Sequence, residues 1–245
     1  MIISPGRGYI FVHIPKTGGT AMALALEARA KKDDVMIGDT PKALKRRHRV
    51  NGSKAAGRVW KHATLSDIDG LYSVEDLAPL FAFTLVRNPW DRMVSYYHWL
   101  QEQDFDHPAV TLAKTLEFSG FLRHPQIAAS LRANPAARYM TRADGVEQCN
   151  AYVRIEHLQD DLAPVHDHLG FELQLERVNS SQRRSDYRGY YSDETAQIVA
   201  DVRSGYHALW LSVRLTGCCA LGGLCPRRFA PLPGYFDQKG AGALS

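Results

Sequence analysis

One stretch near the amino terminus constrains the fold more than any other. Residues 13–20 read HIPKTGGT, and they lie between the apolar run that begins at 9 and a helix-forming segment at 20–32. The apolar residues 9–14 predict a buried strand, so a lysine, two glycines and two threonines cluster at a strand-to-helix turn. Backbone N–H groups at a helix start are unpaired and lie at the positive end of the helix dipole. The pattern therefore favours an anion-binding loop that opens an α/β unit.

The order of residues in this loop differs from that of common nucleotide-binding loops. A Walker loop reads GxxxxGK[ST], with its lysine after the glycines, whereas Lys16 precedes Gly18 and Gly19 here. This order disfavours an ordinary ATP or GTP site. Lys16 and the hydroxyls of Thr17 and Thr20 would add donors to the backbone amides. The alternative is a tight turn with a helix cap and no ligand.

A second element, RNPWDRMVSYY at 87–97, follows the apolar run 81–86, which is the strongest predicted strand. Arg87 comes directly after this strand, and Ser95 comes eight residues later, about two helical turns on. We expect both side chains to face a ligand beyond the carboxyl ends of the strands. A guanidinium and a hydroxyl together suit a phosphate. The alternative is that Arg87 pairs with Asp91 and that Ser95 faces water.

The rest of the chain alternates between predicted strands and helices. Length and composition, 245 residues of which 45% are hydrophobic, allow one sizeable core. The alternation predicts an α/β fold, a single P-loop-like domain with a central, mostly parallel sheet flanked by helices. The further predicted elements are strands at 58–62 and 151–155, helices at 109–123, 125–140 and 157–169, and a last helix that opens at Ser192, with Thr195 at its third position.

The charge balance favours anionic ligands. The formal net charge is +4, which attracts anions without requiring nucleic acid as a partner. One basic run, 42–49, could bind RNA, DNA or another polyanion. Such a run is more often a solvated face, and it could also attract an acidic substrate. We therefore expect no nucleic-acid partner.

Targeting features and cysteines predict a cytoplasmic protein. Residues 1–14 lack a basic start followed by a long apolar stretch, so no secretory signal is predicted. No apolar run approaches the ~18 residues that span a bilayer, so we expect no membrane insertion. Cys149 stands alone and the other three cysteines, Cys218, Cys219 and Cys225, lie near the end. Their spacing suits neither a zinc site nor a disulfide framework, which favours a reducing compartment.

The two motifs in this order resemble a known family. PKTGGT followed by a strand that ends in RNPWDRMVSYY is similar to the sulfotransferases that use 3′-phosphoadenosine-5′-phosphosulfate, PAPS. The resemblance is to the carbohydrate-type branch, which includes heparan sulfate 2-O-sulfotransferases and small bacterial relatives. It runs from residue 9 to about residue 200. It includes the segments KHAT (61–64), YVRIEHLQDDL (152–162) and VNSSQRRSDYRGYYSDET (178–195).

The resemblance implies roles for particular residues. Lys16–Thr20 would cradle the 5′-phosphosulfate, and Arg87 and Ser95 would hold the 3′-phosphate. Ser181 and Arg183 lie in a polar loop that, in the family, closes over the nucleotide, although an exposed basic turn is an equal alternative. The acceptor would be a hydroxyl compound, and the branch implies a saccharide.

Sulfuryl transfer needs a base for the acceptor hydroxyl, and histidine suits this best. His62 is the candidate, because KHAT falls at a predicted strand end between the two motifs and relatives place a catalytic histidine in this interval. A core or surface role for His62 is the alternative. His98 is a weaker candidate base, and His13 is expected to be structural. Lys16 would neutralise charge on the leaving phosphate, which makes it the second catalytic residue.

Two further predictions concern structure and metals. The segment 154–156, Arg-Ile-Glu, resembles the strand-terminal RFE of the family, and we interpret it as architectural. No cluster of histidine, cysteine and aspartate has the spacing of metal ligands, so no metal is expected.

The chain changes character after the predicted domain, 1–201. The tail 202–245 contains paired cysteines and glycines and no clear amphipathic period. Relatives end with a sequence like DIxLFGYRF, and 202–214 can be back-translated so that a one-base shift gives CAADITLFGYRF. We hypothesise that a single-base frameshift replaced the native end. A divergent, poorly ordered tail is the alternative.

Two other function classes compete with a sulfotransferase. A P-loop nucleotide kinase is disfavoured because the chain lacks the Walker lysine order and a clear metal-holding aspartate at a strand end. A non-catalytic nucleotide or polyanion binder would use the run 42–49. Neither the identity of the acceptor nor the oligomeric state follows from the sequence.

Overall fold

The computed structural model describes residues 1–52, 54–175 and 186–202. Their centre is a five-stranded sheet with the order β3-β1-β2-β4-β5. The strands are β1 (Ile2–Ser4), β2 (Tyr9–Val12), β3 (Val35–Met36), β4 (Phe81–Val86) and β5 (Ala151–Arg154).

The sheet is mixed but mostly parallel in direction. β2 pairs in parallel with β4, and β4 pairs in parallel with β5. β1 runs antiparallel to both β2 and β3, so β3 points the same way as the three parallel strands. Four of the five strands therefore share one direction, which confirms the predicted α/β fold with its central sheet.

Helices surround this sheet, and most are short. Their bounds are α1 (Gly19–Ala28), α2 (Pro41–Arg46), α3 (Val74–Leu77), α4 (Pro89–Gln101), α5 (Pro108–Thr115), α6 (Phe118–Arg123), α7 (Pro125–Ala133), α8 (Ala136–Tyr139), α9 (Leu158–Asp161), α10 (Ala163–Leu169) and α11 (Asp193–Val202). Single 3₁₀ turns occur at Pro5–Arg7, Arg47–Arg49, Ile155–His157 and Tyr187–Tyr190.

The described part of the chain contains two clusters of buried residues. One joins the sheet to α1 and α10 through residues such as Phe11, Phe83 and Val165. The other joins α4 to the helices α5–α7 and α11 through Val94 and Phe121. All four residues of β2 are buried, as expected for a central parallel strand that is covered on both faces. The strand that leads into the glycine loop is thus rigidly held.

The loops that carry the predicted motifs meet at one edge of the sheet. The turn 13–18 follows β2, the turn 87–88 follows β4, and the 3₁₀ turn Ile155–His157 follows β5. Because β2, β4 and β5 are parallel neighbours, their carboxyl ends lie side by side. Ligands of open α/β sheets bind at this edge.

The structure corrects several predicted elements. No strand forms at 58–62; the segment is an irregular turn in which the Ala63 N–H donates to the Trp60 carbonyl at 3.0 Å. Only Val59 and Trp60 in this segment are apolar, and Trp60 is 37% exposed, so the segment has no apolar face to bury against the sheet. The helices predicted over 109–123 and 125–140 are each broken in two, the second just before Pro135, where the preceding residue cannot remain helical.

Other boundaries also differ from the prediction. The helix predicted over 157–169 is two short helices that meet at Leu162, with a proline at the start of α10. It ends at Gly170 in a left-handed conformation, φ 72°, as the glycine predicts. Ser192 and Thr195 cap α11 as predicted, the Thr195 N–H donating to Ser192 Oγ at 3.3 Å. The predicted tail, apart from Val202, lies outside the described residues, so its boundary and the frameshift hypothesis stay predictions.

Candidate active site

The glycine loop is shaped by two residues with a left-handed backbone conformation. Lys16 has φ 65° and is the one residue other than glycine with positive φ among those described. Gly18 precedes α1 with φ 81°, and no side chain caps the helix there. A non-glycine residue held in this conformation is strained, and such strain concentrates at functional sites. The first amides of α1 are therefore left without a side-chain cap, which is typical of a helix start that binds an anion.

Glycine is required at position 19 because His13 packs closely against it. A Cβ atom added at Gly19 would lie only 2.0 Å from His13 Cδ2 and 2.4 Å from His13 Nε2. His13 is 7% exposed, and burial lowers its pKa well below the usual histidine value. His13 is thus a neutral packing residue beneath the start of α1, consistent with the structural role expected for it.

His62 is bonded to this same histidine. Its Nδ1 lies 2.8 Å from the His13 carbonyl oxygen, which can only accept, so Nδ1 carries the proton and Nε2 carries the lone pair. The two imidazole rings meet edge to face with centroids 4.6 Å apart. Burial lowers the pKa of His62 to about 4, which keeps the ring neutral at neutral pH. The ring therefore has the tautomer and charge that a general base requires.

Two threonines of the loop have different environments. Thr17 is buried, and its hydroxyl donates to the Ile14 carbonyl at 2.8 Å, so this side chain fixes the turn. Because the hydroxyl proton is used in this bond, the Thr17 hydroxyl can accept a further hydrogen bond but cannot donate one to a phosphate. Thr20 lies in the first turn of α1 and lines a small cavity with His13 and Lys61.

Arg87 lies between α4 and the loop. Its Nε and Nη2 bind Asp91 Oδ2 at 2.7 and 2.6 Å, and its Nη1 donates to the Lys16 carbonyl at 3.4 Å. The pair with Asp91 is the alternative that the sequence left open. The contact with Lys16 shows that the guanidinium also reaches the glycine loop, where a phosphate ligand could share it.

Helix α4 contacts the loop along one face. Arg92 Nε donates to the Pro15 carbonyl at 3.0 Å, and the Lys16 ammonium lies 5.0 Å from the centroid of the Trp99 ring. Residues three and four apart share a helix face, so the buried Ser95 lies between Arg92 and Trp99 on the face that meets the loop. This placement is consistent with the ligand-facing position expected for Ser95.

Residues at the end of β5 stabilise the turn that follows β4. Glu156 Oε1 accepts a hydrogen bond from the Asn88 N–H at 2.8 Å, and burial raises the pKa of this carboxyl. Arg154 makes a two-pronged ion pair with Asp161, at 2.7 and 2.8 Å. The first contact joins the ends of β4 and β5, and the second joins β5 to α9, which agrees with an architectural role for 154–156.

The family follows from a comparison with known sequences. A sequence model described as the sulfotransferase family matches residues 1–207 of the chain. The chain belongs to this family. No curated protein sequence matches the chain.

A solved structure also resembles this sulfotransferase-family chain, at a low level. It is the crystal structure of mouse sulfotransferase SULT7A1 complexed with PAP, which is 15% identical with a TM-score of 0.35. The alignment covers 80% of this chain and 64% of the mouse chain. The sulfotransferase-family chain therefore spans less than two thirds of the length of that relative.

Several predicted positions are not brought to this site or cannot be placed. His98 Nε2 lies 3.0 Å from the Tyr190 hydroxyl, and its ring packs on Tyr97 and Tyr190, away from the contacts that reach the loop. Ser181 and Arg183 lie outside the described residues.

Sequence reasoning missed Arg92 and Trp99. The only available signal was their helical spacing from Ser95, because their contacts join segments more than seventy residues apart in sequence.

The described ranges hold neither a metal-binding cluster nor a membrane-spanning helix. No three histidine, cysteine, aspartate or glutamate side chains in residues 1–52, 54–175 and 186–202 are grouped so as to hold a metal ion. No helix among the same residues has the length and apolar character needed to cross a membrane.

Proposed function

We propose that this chain transfers the sulfuryl group of PAPS to an acceptor hydroxyl. The observation that carries the proposal is the contact series from His62 through His13 to Gly19. It connects a neutral imidazole, whose Nε2 can accept a proton, through the His13 ring to the uncapped N-terminus of α1. A base next to an anion site is what transfer from a phosphosulfate to an alcohol requires.

The residues of the glycine loop fit the phosphosulfate end of PAPS. When bound, PAPS supplies an activated sulfuryl group attached to a phosphate leaving group. The amides of Gly18, Gly19 and Thr20 would bind its oxygens, and the close packing of Gly19 on His13 fixes the position of this helix start. Lys16 would offset the negative charge that develops on the phosphate as the S–O bond breaks.

Arg87 and Ser95 would hold the 3′-phosphate, with Ser181 and Arg183 closing over the nucleotide. Support for the first two comes from their positions beside the loop. Arg87 reaches the Lys16 carbonyl, and Ser95 lies on the loop-facing side of α4. Asp91 would then compete with the phosphate for the Arg87 guanidinium.

His62 would complete the reaction. Its Nε2 takes the hydroxyl proton as the acceptor oxygen forms its bond to sulfur, and the bond from sulfur to the leaving phosphate breaks. The imidazolium that results keeps its Nδ1 proton on the His13 carbonyl, so the ring stays oriented. Phosphate charges close to the ring would raise its pKa above the free-state value of about 4 and make it a stronger base.

The carbohydrate-type branch and a saccharide acceptor follow from the resemblance noted in the sequence. The cytoplasmic location rests on the spacing of the cysteines. The expectation of no divalent metal rests on Lys16, Arg87 and the backbone amides, which would face the charges of the cofactor.

The contacts of the basic run 42–49 weigh against the polyanion-binding alternative. Arg46 and Arg49 donate to the Asp34 carbonyl at 3.3 and 2.8 Å, and Lys42 donates to the Glu27 carbonyl.

A ligand comparison tests the proposal. We expect PAP to raise the melting temperature in a thermal shift assay, and ATP and heparin at the same concentration to raise it much less. Labelled PAPS with a panel of saccharide and phenolic alcohols then tests transfer, with EDTA in a parallel sample. Stabilisation by ATP or heparin in place of PAP would contradict the proposal.

A further inference from the structure

A cleft of about 390 Å³ lies beside the proposed base. Its walls come from the end of β3, from helix α2 with the turn after it, and from the irregular segment that ends at Lys61. The volume is in the range of about 300–1,000 Å³ that small-molecule sites occupy. None of the residues assigned to PAPS lines this cleft, so a second ligand is the natural occupant.

The cleft and the base share a neighbour. Trp60 forms part of the cleft wall, and its indole meets the His62 ring edge to face with centroids 4.9 Å apart. Asp39 and Lys61, an ion pair with 2.5 Å between Oδ2 and Nζ, line both the cleft and the small cavity that contains Thr20. The cleft and this small cavity therefore adjoin at the Asp39–Lys61 pair.

The charged residues of the cleft favour an anion. Arg47 and Lys61 line it against one carboxylate, Asp39. The Arg58 guanidinium lies 4.6 Å from the centroid of the Trp60 ring and adds a further positive charge to that wall. Arg47 is exposed, unlike Arg46 and Arg49, whose guanidinium groups bind backbone carbonyls near the end of α1.

The remaining walls favour a flat apolar face. Met36, Ile37 and Val59 line the cleft together with Leu44, which is 51% exposed, and Trp60, which is 37% exposed. Exposed aliphatic and indole surface next to cations is suited to a ring that carries both an apolar face and an acidic group.

We propose that this cleft is the acceptor site and that its ligand is an anionic hydroxyl compound with a flat apolar face. The ring of the ligand contacts Trp60, its acidic group pairs with Arg47, and its hydroxyl is directed towards His62. The assignment rests on the proposed function, because it is the transfer reaction that calls for an acceptor next to the base. A uronic acid and a phenolic acid share this chemistry, and the experiment separates them.

Binding to the cleft is measured without PAPS, by NMR titration of the whole chain. The probes form two pairs that differ in charge: methyl β-glucuronide with methyl β-glucoside, and 4-hydroxyphenylacetate with 4-hydroxyphenylacetamide. We expect the acidic member of at least one pair to bind about tenfold more tightly than its neutral partner. If only one pair shows this preference, that pair identifies the ligand as a uronic acid or as a phenolic acid.

Variants locate the binding. We expect Arg47→Gln to abolish the preference for the acidic probe, and Trp60→Leu to weaken both members of the pair. The matched control is Arg132→Gln, which removes the same charge from an exposed position on α7 and should leave the preference intact. All three variants should bind PAP like the unaltered chain.

The outcomes separate this inference from the proposed function. The assignment of the cleft would be overturned by any of three results. The preference for the acidic probe could survive Arg47→Gln, it could be lost equally in Arg132→Gln, or neither acidic probe could bind. Failure of PAP to bind the unaltered chain would instead contradict the proposed function, whatever the titration shows.

Discussion

The Nδ1 of His62 donates to the main-chain carbonyl of His13, at 2.8 Å, while the ring of His13 fills the space that a side chain at position 19 would need. One buried histidine therefore serves both halves of the proposed site. Its carbonyl orients the base, and its ring fixes the start of the helix that would bind phosphate. The two functions are coupled through the position of a single residue.

Replacement of His62 tests the base. We expect His62→Ala to lower turnover with PAPS by about 10²–10⁴-fold, because the acceptor proton loses its acceptor, while PAP affinity stays near that of the unaltered chain. Calorimetric PAP binding and steady-state transfer are the two measurements. His168→Ala is the control, since that exposed ring also lies 3.0 Å from a backbone carbonyl, that of Arg7. Unchanged turnover in His62→Ala would exclude it as the base.

Replacement of Gly19 tests the packing between His13 and α1. The Cβ of Gly19→Ala would lie 2.0 Å from His13 Cδ2, so the ring or the helix must move. We expect a lower melting temperature and at least about a tenfold loss of PAP affinity, since the amides at the helix start shift with it. Thermal denaturation and calorimetric titration with PAP measure the two effects.

The control for this variant is Gly120→Ala in α6. A Cβ there meets only the Leu116 Cβ at 3.7 Å, an ordinary contact, and alanine in a helix gains up to about 1 kcal/mol over glycine. Similar losses in the two variants would show that the His13 contact is not the cause.

Because Arg87 is paired with Asp91, we expect substitutions of the two residues to have opposite effects on PAP affinity. Arg87→Ala removes a charge-assisted contact worth about 1.5–3 kcal/mol, so PAP affinity should fall about 10- to 100-fold. Asp91→Asn removes the competing carboxylate at 2.6 Å and should keep or raise the affinity. Arg123→Ala, which breaks an exposed pair with Glu194 on another surface, serves as the control. Normal PAP affinity in Arg87→Ala would contradict its assignment.

Trp99 should position Lys16. Its ring lies 5.0 Å from the lysine ammonium, and such contacts contribute about 0.5–2 kcal/mol. We expect Trp99→Leu to lower turnover about threefold or more with little change in the KM for PAPS, and Trp99→Phe to restore part of the loss because an aromatic face remains. Lys16→Ala should remove the difference between the two Trp99 variants. A difference that persists without the lysine would show that Trp99 acts through other contacts.

The fold was largely predictable from the sequence, and the site was predictable in part. The strands at 9–12 and 81–86 are long apolar runs that need no partner to be recognised. The strands Ile2–Ser4 and Val35–Met36 escaped prediction because two or three residues hold no pattern, and they are extended through pairing with their neighbours.

The site shows the same division. The loop and the Arg87 motif are local patterns, so their meeting at one sheet edge follows from parallel strand order. The bond from His62 to His13 and the contact of Trp99 with Lys16 join distant segments through backbone carbonyls and ring faces. His62 was predicted from a strand end that does not exist, so its placement depends on the packing of the 58–64 turn.

Acid should destabilise the fold through the two histidines. Burial lowers the pKa of His62 to about 4 and that of His13 well below its usual value of 6.5. Between pH 6.5 and about 4 the unfolded chain therefore binds more protons than the folded chain, so the free energy of unfolding falls as the pH falls. Urea denaturation at several pH values measures the slope. His62→Gln should reduce it by up to one proton in this interval, and an unchanged slope would contradict the burial of a neutral His62.

The spacing of contacts along helix α4 limits the insertions and deletions that this site can tolerate. Arg92 and Trp99 contact the glycine loop from different turns of this one helix, and Ser95 lies between them on the same face. One residue inserted between Arg92 and Ser95 would rotate everything after it by about 100° and swing the indole away from the lysine, although every motif letter would still be present. The number of residues between these side chains along the helix is thus as much a part of the site as the side chains themselves.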